Sequence, residues 1–248
     1  MGCGYSKIKS LKYVSTRGQA PTLPFDEVLL TGLARDGGLY LPEIWPSFSN
    51  ADLKHLSRLT YTDLAIQIMT PFIGNVISHD DFSGMVEETY RNFQHPSVAP
   101  LKLLDHNQWI LELFHGPTLA FKDSSLQLVG RLFDHVLKMK GQQATIVGAT
   151  SGDTGSAVAA AFDGRPNTYV VILYPADNVS DRQAHQLSCW SDNVITLAIH
   201  GTFDDCQSLV KQAFSDKQWT QQYDLSTANS INIGRLLPQL AYYAFSSL

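Results

Sequence analysis

The strongest constraint on the fold is an alternation of short apolar runs with helical patterns in the second half of the chain. The runs are rich in β-branched residues and cover 144–148, 169–173 and 194–198. Helical patterns fill the intervals, near 154–162, 180–190 and 203–215. Strands that alternate with helices predict an α/β fold with a mostly parallel open sheet and flanking helices.

The residues before this alternation predict a helical N-terminal layer. Helical patterns cover 25–34, 51–58, 62–73 and 80–93, and little other periodicity is visible before Pro46. We therefore divide the chain into an extension over 1–12, a helical N-terminal domain over 13–97 and an α/β domain over 98–248.

Composition excludes several classes of protein. Acidic residues outnumber basic ones by 23 to 18, which makes nucleic acid an unfavoured partner. Cys3, Cys189 and Cys206 lie far apart, and the eight histidines form no close pair, so neither a disulfide framework nor a metal site is expected. No run of 18 apolar residues and no secretory signal is present. We expect a cytoplasmic protein that is a monomer or a homodimer.

The two ends of the chain carry unusual patterns. Gly2 and Cys3 match a lipidation motif, followed by several lysines, so a membrane becomes a partner only if this motif is lipidated. We favour the interpretation that 1–11 is an extension before the domain proper. The apolar helical pattern over 234–248 stops without a capping glycine, which predicts that the natural chain continues and that the α/β domain is incomplete.

Lys122 stands out because it lies among apolar residues where a helical pattern begins. Phe114, Leu119 and Phe121 should disfavour an ammonium by desolvation, and the positive end of a helix dipole should repel it. An amine that is partly neutral can attack an aldehyde and form a Schiff base. The alternatives are a solvated lysine whose stem covers apolar neighbours, and a lysine whose charge Asp123 holds.

Two further segments carry groups that could bind anions. In Gly148–Ser156, glycines and the hydroxyls of Thr150, Ser151 and Thr154 follow a predicted strand and open a helix, which is typical of an anion cradle. In Asn229–Arg235, two amides, a hydroxyl and a guanidinium precede the last helix. An ordinary strand-to-helix loop and helix capping by Asn229 or Asn232 are the alternatives. Asp204 and Asp205 look like the first turn of a helix.

Together these segments resemble threonine synthase, a pyridoxal-phosphate enzyme of the tryptophan synthase β-like fold, also called fold type II. The matching segments are Tyr13–Gly18, Gly32–Tyr40, Glu112–Asp123, Gly148–Gly155, Gly201–Cys206 and Asn229–Asn232 with Arg235. They run from residue 13 to the end of the chain, and the pair formed by 114–123 and 148–155 is highly specific. The resemblance implies that 98–248 is a pyridoxal-phosphate-binding domain.

The resemblance also implies a reaction and the residues that perform it. Members convert O-phospho-L-homoserine and water to L-threonine and phosphate by β,γ-elimination and replacement, as part of threonine biosynthesis. Lys122 would form a Schiff base with pyridoxal 5'-phosphate, and it would later remove the Cα proton and move a Cβ proton. Asp153 would bind the cofactor. Ser151, Gly152 and Thr154 would bind the substrate, and Asn232 and Arg235 are candidates for its phosphate.

Two alternatives to an active synthase remain open, and a departure from the family pattern motivates the first. Family members carry a later glycine-rich loop that binds the cofactor phosphate, and a later hydroxyl residue that faces the pyridine nitrogen; neither is in this sequence. One alternative is a non-catalytic truncated form that cannot hold pyridoxal phosphate. The other is a synthase-like phospho-lyase that acts on the same class of substrate.

Overall fold

A computed structural model describes residues 11–248 of the chain. The predicted lipidation motif at Gly2 and Cys3, and nearly all of the predicted extension, lie outside the described residues. No helix within 11–248 is both long enough and apolar enough to cross a membrane.

The N-terminal part forms a small antiparallel sheet and four helices. In chain order the elements are β1 (Lys12–Ser15), β2 (Leu23–Pro24), α1 (Phe25–Thr31), β3 (Tyr40–Pro42), α2 (Asn50–Leu56), α3 (Tyr61–Ile73) and α4 (His79–Arg91). β1 pairs antiparallel with both β2 and β3. Ser49, Thr60 and Ser78 cap α2, α3 and α4, because each side chain accepts a hydrogen bond from a backbone N–H of the first turn. The four predicted helices are confirmed, whereas the sheet was not predicted.

The second part contains the predicted alternation of strands and helices. Its elements are β4 (Leu101–Asp105), β5 (Gln108–Leu111), α5 (Asp123–Lys140), β6 (Ala144–Ala149), α6 (Asp153–Phe162), β7 (Thr168–Pro175), α7 (Asp181–Ser188), β8 (Val194–Ile199), α8 (Phe203–Ser215), α9 (Lys217–Gln222), β9 (Leu225–Ser226) and α10 (Ile233–Ser247). Four strands form a sheet in the order β8-β7-β6-β9, and every pair is parallel. The predicted parallel sheet is confirmed.

The β4–β5 hairpin departs from the predicted alternation. Its two strands are antiparallel and form a separate two-stranded sheet whose side chains are mostly exposed. The apolar run over 109–114 predicts a short strand before Lys122, but β5 ends at Leu111, and a loop leads from there to α5.

Successive side chains of a strand point in opposite directions, and at β6 and β7 both faces of the parallel sheet are covered, whereas Ile195 and Leu197 of β8 are about half exposed. Ile146 and Val170 join the large core that includes α5 and α6. Val147 and Leu173 pack with Cys206 of α8 on the other face. The sheet thus presents its carboxyl edge between two layers of helices.

The large core is continuous between the N-terminal layer and the sheet. Buried side chains connect Tyr13 and Phe25 to Ile146, and α10 packs against both α3 and α5. The hydroxyl of Tyr90 on α4 donates to the backbone oxygen of Ser124 in the first turn of α5, at 3.2 Å. The domain boundary between 97 and 98 stays a prediction, and the core extends across it.

Candidate active site

A cavity of about 530 Å³ opens where β6 ends and α6 begins. Its walls come from β6, β7, α6, α8 and the residues around the start of α10. Carboxyl ends of parallel strands are the usual position of ligand sites in open α/β sheets, and the volume suits a small molecule. Of the predicted catalytic and binding residues, Lys122, Thr154 and Arg235 line this cavity, and so do Thr150, Asn229 and Ser230 of the two predicted anion-binding segments.

Lys122 is the N-cap residue of α5, one position before the predicted first turn. Its side chain is 17% exposed, and Nζ donates a hydrogen bond to Oδ2 of Asp153 at 2.7 Å. The same Nζ lies 4.6 Å from the centroid of the Phe121 ring. The loop before α5 and the first residue of α6 therefore place an amine, a carboxylate and an aromatic face together.

The contacts of Lys122 do not support the desolvation argument that predicted a partly neutral amine. Phe114, Leu119 and Phe121 are each about half exposed, so they do not form the buried apolar surroundings that the sequence suggested for Lys122. A carboxylate and an aromatic face both stabilise an ammonium. Asp123, the alternative charge partner, turns its buried carboxylate towards Thr118. Asp153 is the residue that holds the charge of Lys122.

In the predicted anion-binding turn, part of the hydrogen-bonding capacity is occupied by bonds within the turn itself. Oγ1 of Thr150 accepts hydrogen bonds from the N–H groups of Gly152 and Gly155, at 3.1 and 2.9 Å. Gly155 has no room for a side chain, since a Cβ there would lie 2.4 Å from Cγ2 of Thr150. Thr150 lines the cavity, but its hydroxyl also donates to the backbone oxygen of Gly152 at 3.2 Å, so its hydrogen bonds lie within the turn. The N–H groups of Asp153 and Thr154 open α6 and have no acceptor within the helix, so they are the donors that suit an anion.

The other predicted residues of this turn do not line the cavity. Ser151 and Asp153 are exposed, and Gly152 is buried with φ at 156°, a backbone angle that favours glycine. Asp153 is joined to the cavity through its hydrogen bond with Lys122.

Arg235 is a buried cation in the cavity wall. The residue is 7% exposed, and Nη1 donates to the backbone oxygen of Ala228 at 3.1 Å. Burial lowers the pKa of the guanidinium, although the charge of Asp153 opposes that shift. Among the ion pairs of residues 11–248, none joins Arg235 to a carboxylate. A buried guanidinium of this kind favours an anionic ligand.

Asn232 serves the fold, which matches the alternative of helix capping. It is fully buried, its Nδ2 donates to the backbone oxygen of Leu29 at 2.7 Å, and its Oδ1 accepts from the N–H of Gly234 at 2.9 Å. It does not line the cavity, so its predicted contact with the substrate stays a prediction. Asp205 likewise forms a capping box with Thr202 at the start of α8, as expected.

Three polar residues of the cavity wall were not predicted, namely Gln207, Lys211 and Thr227. Gln207 and Lys211 lie four positions apart on α8, so they share one face of that helix and reach the cavity together. The spacing of Gln207 and Lys211 on the predicted helix over 203–215 could have indicated that both residues face the same site. Within residues 11–248, no group of three or more His, Cys, Asp or Glu side chains could hold a metal ion.

Comparison with known proteins agrees with this arrangement. The family model described as pyridoxal-phosphate-dependent enzyme matches residues 94–239, and the model described as threonine synthase N terminus matches 12–90. The threonine synthase of Pseudomonas aeruginosa is 48% identical over 239 residues, which are 96% of this chain and 51% of that protein. A protein of Rattus norvegicus named threonine synthase-like 2 is 36% identical over 94% of this chain and 49% of its own length.

Solved structures give the same result. The structure titled PLP-bound threonine synthase from Brucella melitensis matches with a TM-score of 0.93 and 51% identity, over 96% of this chain and 52% of that one. The Escherichia coli threonine synthase structure matches with a TM-score of 0.80 and 39% identity, over 94% and 53%. The chain spans about half the length of the relatives that it matches.

The fold, the lysine at the cavity and the family model define one class: the chain belongs to the pyridoxal-phosphate-dependent enzyme family, with the predicted type II fold. Within that family it corresponds to the N-terminal portion of the threonine synthases, which confirms the resemblance seen in the sequence.

Proposed function

We propose that this chain supplies the lysine-bearing part of a threonine synthase that uses pyridoxal 5'-phosphate. The whole enzyme would convert O-phospho-L-homoserine and water to L-threonine and phosphate. The observation that carries the proposal is the position of Lys122, whose Nζ lies at the cavity wall, 2.7 Å from Asp153 at the start of α6.

The residues of the cavity fit this cofactor and substrate. Lys122 offers an amine to an aldehyde, and the first N–H groups of α6 suit a carboxylate. Arg235, buried and without an ion-pair carboxylate among the described residues, suits a phosphate group. Pyridoxal phosphate, when bound, supplies an electron sink that makes the Cα proton of an amino acid acidic.

Each residue then has a stated task in the reaction. Thr154 and the neighbouring N–H groups orient the substrate carboxylate, and Arg235 holds the phosphate group that leaves. Lys122 Nζ takes the proton from Cα and then moves a proton at Cβ, while Asp153 keeps that amine beside the turn. Ser151 and Gly152 keep their predicted role in binding the substrate, as part of the same turn.

The test is whether Lys122 captures the cofactor. Pyridoxal phosphate is added to the chain, the absorption near the edge of the visible range is recorded, and the link is reduced with borohydride and located by mass spectrometry. We expect the added mass on Lys122 and no band in Lys122→Ala. Lys138→Ala, which removes an exposed lysine of the same helix, is the matched control and should behave like the wild type.

Label spread over several lysines, or no band at saturating cofactor, would contradict the proposal and favour a non-catalytic form.

A second experiment uses O-phospho-L-homoserine as substrate, and analysis of the products distinguishes two reactions of the full-length protein. Threonine with phosphate supports the synthase, and phosphate without threonine supports the phospho-lyase.

A cytoplasmic location is part of the same proposal. Cys189 and Cys206 are free thiols, as expected in a reducing compartment. The state of assembly, monomer or homodimer, is the remaining element of the proposal and can be measured by light scattering.

A further inference from the structure

The loop that leads into Lys122 has an unfavourable backbone conformation. Leu119 has φ at 62°, in the left-handed region that costs free energy for any residue with a Cβ. Its side chain is 56% exposed, so burial of the leucine does not offset that cost. Other contacts of the loop must hold this conformation.

Those contacts converge on the carboxylate of Asp123, which is 0% exposed. It accepts hydrogen bonds from the N–H of Thr118 at 2.7 Å, from the Thr118 hydroxyl at 2.9 Å and from Nε2 of Gln127 at 3.2 Å. A helix N-cap would accept from N–H groups further along its helix. The Thr118 bonds instead run backwards and close the loop onto the first residue of α5.

Gly116 makes the closed loop tight. A Cβ at this position would lie 2.3 Å from Cβ of Asp123 and 2.6 Å from its Oδ2. The backbone oxygen of Gly116 also accepts a hydrogen bond from the N–H of Leu119, at 3.1 Å. The loop therefore folds directly against the carboxylate that closes it.

The helices on either side of the site leave little freedom elsewhere. Gly130 of α5 lies so close to α6 that a Cβ would be 2.1 Å from the backbone oxygen of Ala161. Gly130 follows Lys122 by the same number of residues as Ala161 follows Asp153. This contact holds α5 close against α6, so the remaining freedom of the backbone at Lys122 lies in the loop that precedes it.

We infer that Asp123 is a positioning residue for Lys122. By closing the Gly116–Asp123 loop, its carboxylate keeps Lys122 Nζ at the cavity wall beside Asp153. The inference rests on the proposed function, since the position of this amine matters for catalysis only where the chain binds an aldehyde cofactor.

Two measurements test this role, and the first needs no cofactor. Brief labelling with acetic anhydride over a range of pH, read by mass spectrometry, gives the reactivity of Lys122 relative to exposed Lys138. In Asp123→Ala the amine should leave Asp153. Lys122 should then be labelled roughly two- to fivefold faster at neutral pH, because that factor corresponds to the free energy of a partly exposed ion pair. The second measurement is pyridoxal phosphate affinity from the absorption band, which should fall about 10- to 100-fold.

The control variants separate positioning from general damage. Asp123→Asn should restore most of the wild-type behaviour, because the amide oxygen still accepts from the N–H of Thr118. Asp36→Ala removes a carboxylate that closes another loop, outside the cavity wall, and should change neither measurement. A partly unfolded variant would also label Lys140 faster, since that lysine is paired with Asp26.

If Asp123→Ala does not fold, Thr118→Val removes the hydroxyl contact alone and should shift both measurements in the same direction by a smaller factor. Wild-type labelling together with wild-type cofactor affinity in a folded Asp123→Ala would overturn the inference, as would failure of Asp123→Asn to restore either. A wild-type chain that does not capture pyridoxal phosphate refutes the proposed function instead, while the labelling experiment still decides the role of Asp123.

Discussion

The loop at Asp36 and the loop at Asp123 are each closed by a carboxylate, and they differ in how far that carboxylate is from water. Asp36 accepts from the hydroxyl of Ser15 at 2.7 Å and from the N–H groups of Gln19 and Gly38 at 2.9 Å. Asp123 accepts a similar number of hydrogen bonds, but it is completely buried while Asp36 is partly exposed. The first loop lies in the N-terminal layer, and the second leads into Lys122.

The two carboxylates respond to their surroundings in opposite directions. Burial alone would raise the pKa of Asp36. Its hydrogen bonds outweigh this effect and lower the pKa from 3.8 to about 2. Burial raises the pKa of Asp123 above its ordinary value, and the hydrogen bonds from Thr118 and Gln127 do not fully offset this. A surface carboxylate closes a loop at little cost, whereas a buried one carries a desolvation cost. That such a cost is retained immediately beside Lys122 supports a positioning role.

The largest expected effect is that of Gly116→Ala. The new Cβ would meet Cβ of Asp123, which is fixed to the backbone, so we expect a loss of about 3 kcal/mol of unfolding free energy. Gly37→Ala is the counterpart in the other loop. It has φ at 76°, but its Cβ would meet only the flexible end of Arg17, and about 1 kcal/mol should be lost.

Urea unfolding of both variants measures this difference through the midpoint at an unchanged slope. Equal losses in the two variants would show that the Asp123 loop is no tighter than the Asp36 loop.

A smaller change, with opposite sign in the two loops, is expected in the pH dependence of stability. The lowered pKa of Asp36 gives stability that is present above 3.8 and lost as the pH falls towards about 2. For Asp123 the raised pKa gives stability that is present below 3.8 and lost as the pH rises through the raised value.

The measurement is the urea midpoint of the wild type, Asp36→Asn and Asp123→Asn across acidic pH. The difference between the wild type and Asp36→Asn should grow as pH rises, and the difference for Asp123→Asn should shrink. If the two midpoint differences changed with pH in the same direction, the contrast between the two loops would be wrong.

The smallest effect is expected for Leu119→Gly. Glycine relieves about 1 kcal/mol of left-handed strain, but it adds a similar conformational entropy to the unfolded chain, so the unfolding free energy should change by less than about 0.5 kcal/mol. The unfolding midpoint should therefore remain near that of the wild type. A loss above about 1 kcal/mol would show that the leucine side chain itself holds the loop.

The sequence predicted those parts of the fold whose periodicity extends over many residues. The helices and the three longer parallel strands had enough length for a clear pattern, whereas β2 and β9 have two residues each and gave none. A strand was predicted at β5, but β4 and its pairing with β5 were missed, because the side chains of β4 are exposed and its pattern does not alternate cleanly.

The candidate site was predictable where a local motif carries it. Lys122 and the turn before α6 follow from neighbouring residues, so both were found in the sequence. The pairing of Lys122 with Asp153 and the burial of Asp123 depend on how α5 and α6 pack, which no local pattern specifies. The inward use of the Thr150 hydroxyl was missed because a turn and a ligand compete for the same hydroxyl.

The hydrogen bond from Tyr90 to Ser124 has a consequence for how the molecule opens. Burial raises the pKa of Tyr90, so its hydroxyl remains a donor, and it ties the N-terminal layer to the turn that follows Lys122. Deuterium should therefore enter the amides of that turn only in rare openings that separate both layers, while the exposed β4–β5 hairpin exchanges by local fluctuation. Lys122 would then stand beside one of the slowest-exchanging segments of the described chain, while the nearby β4–β5 hairpin would be among the fastest.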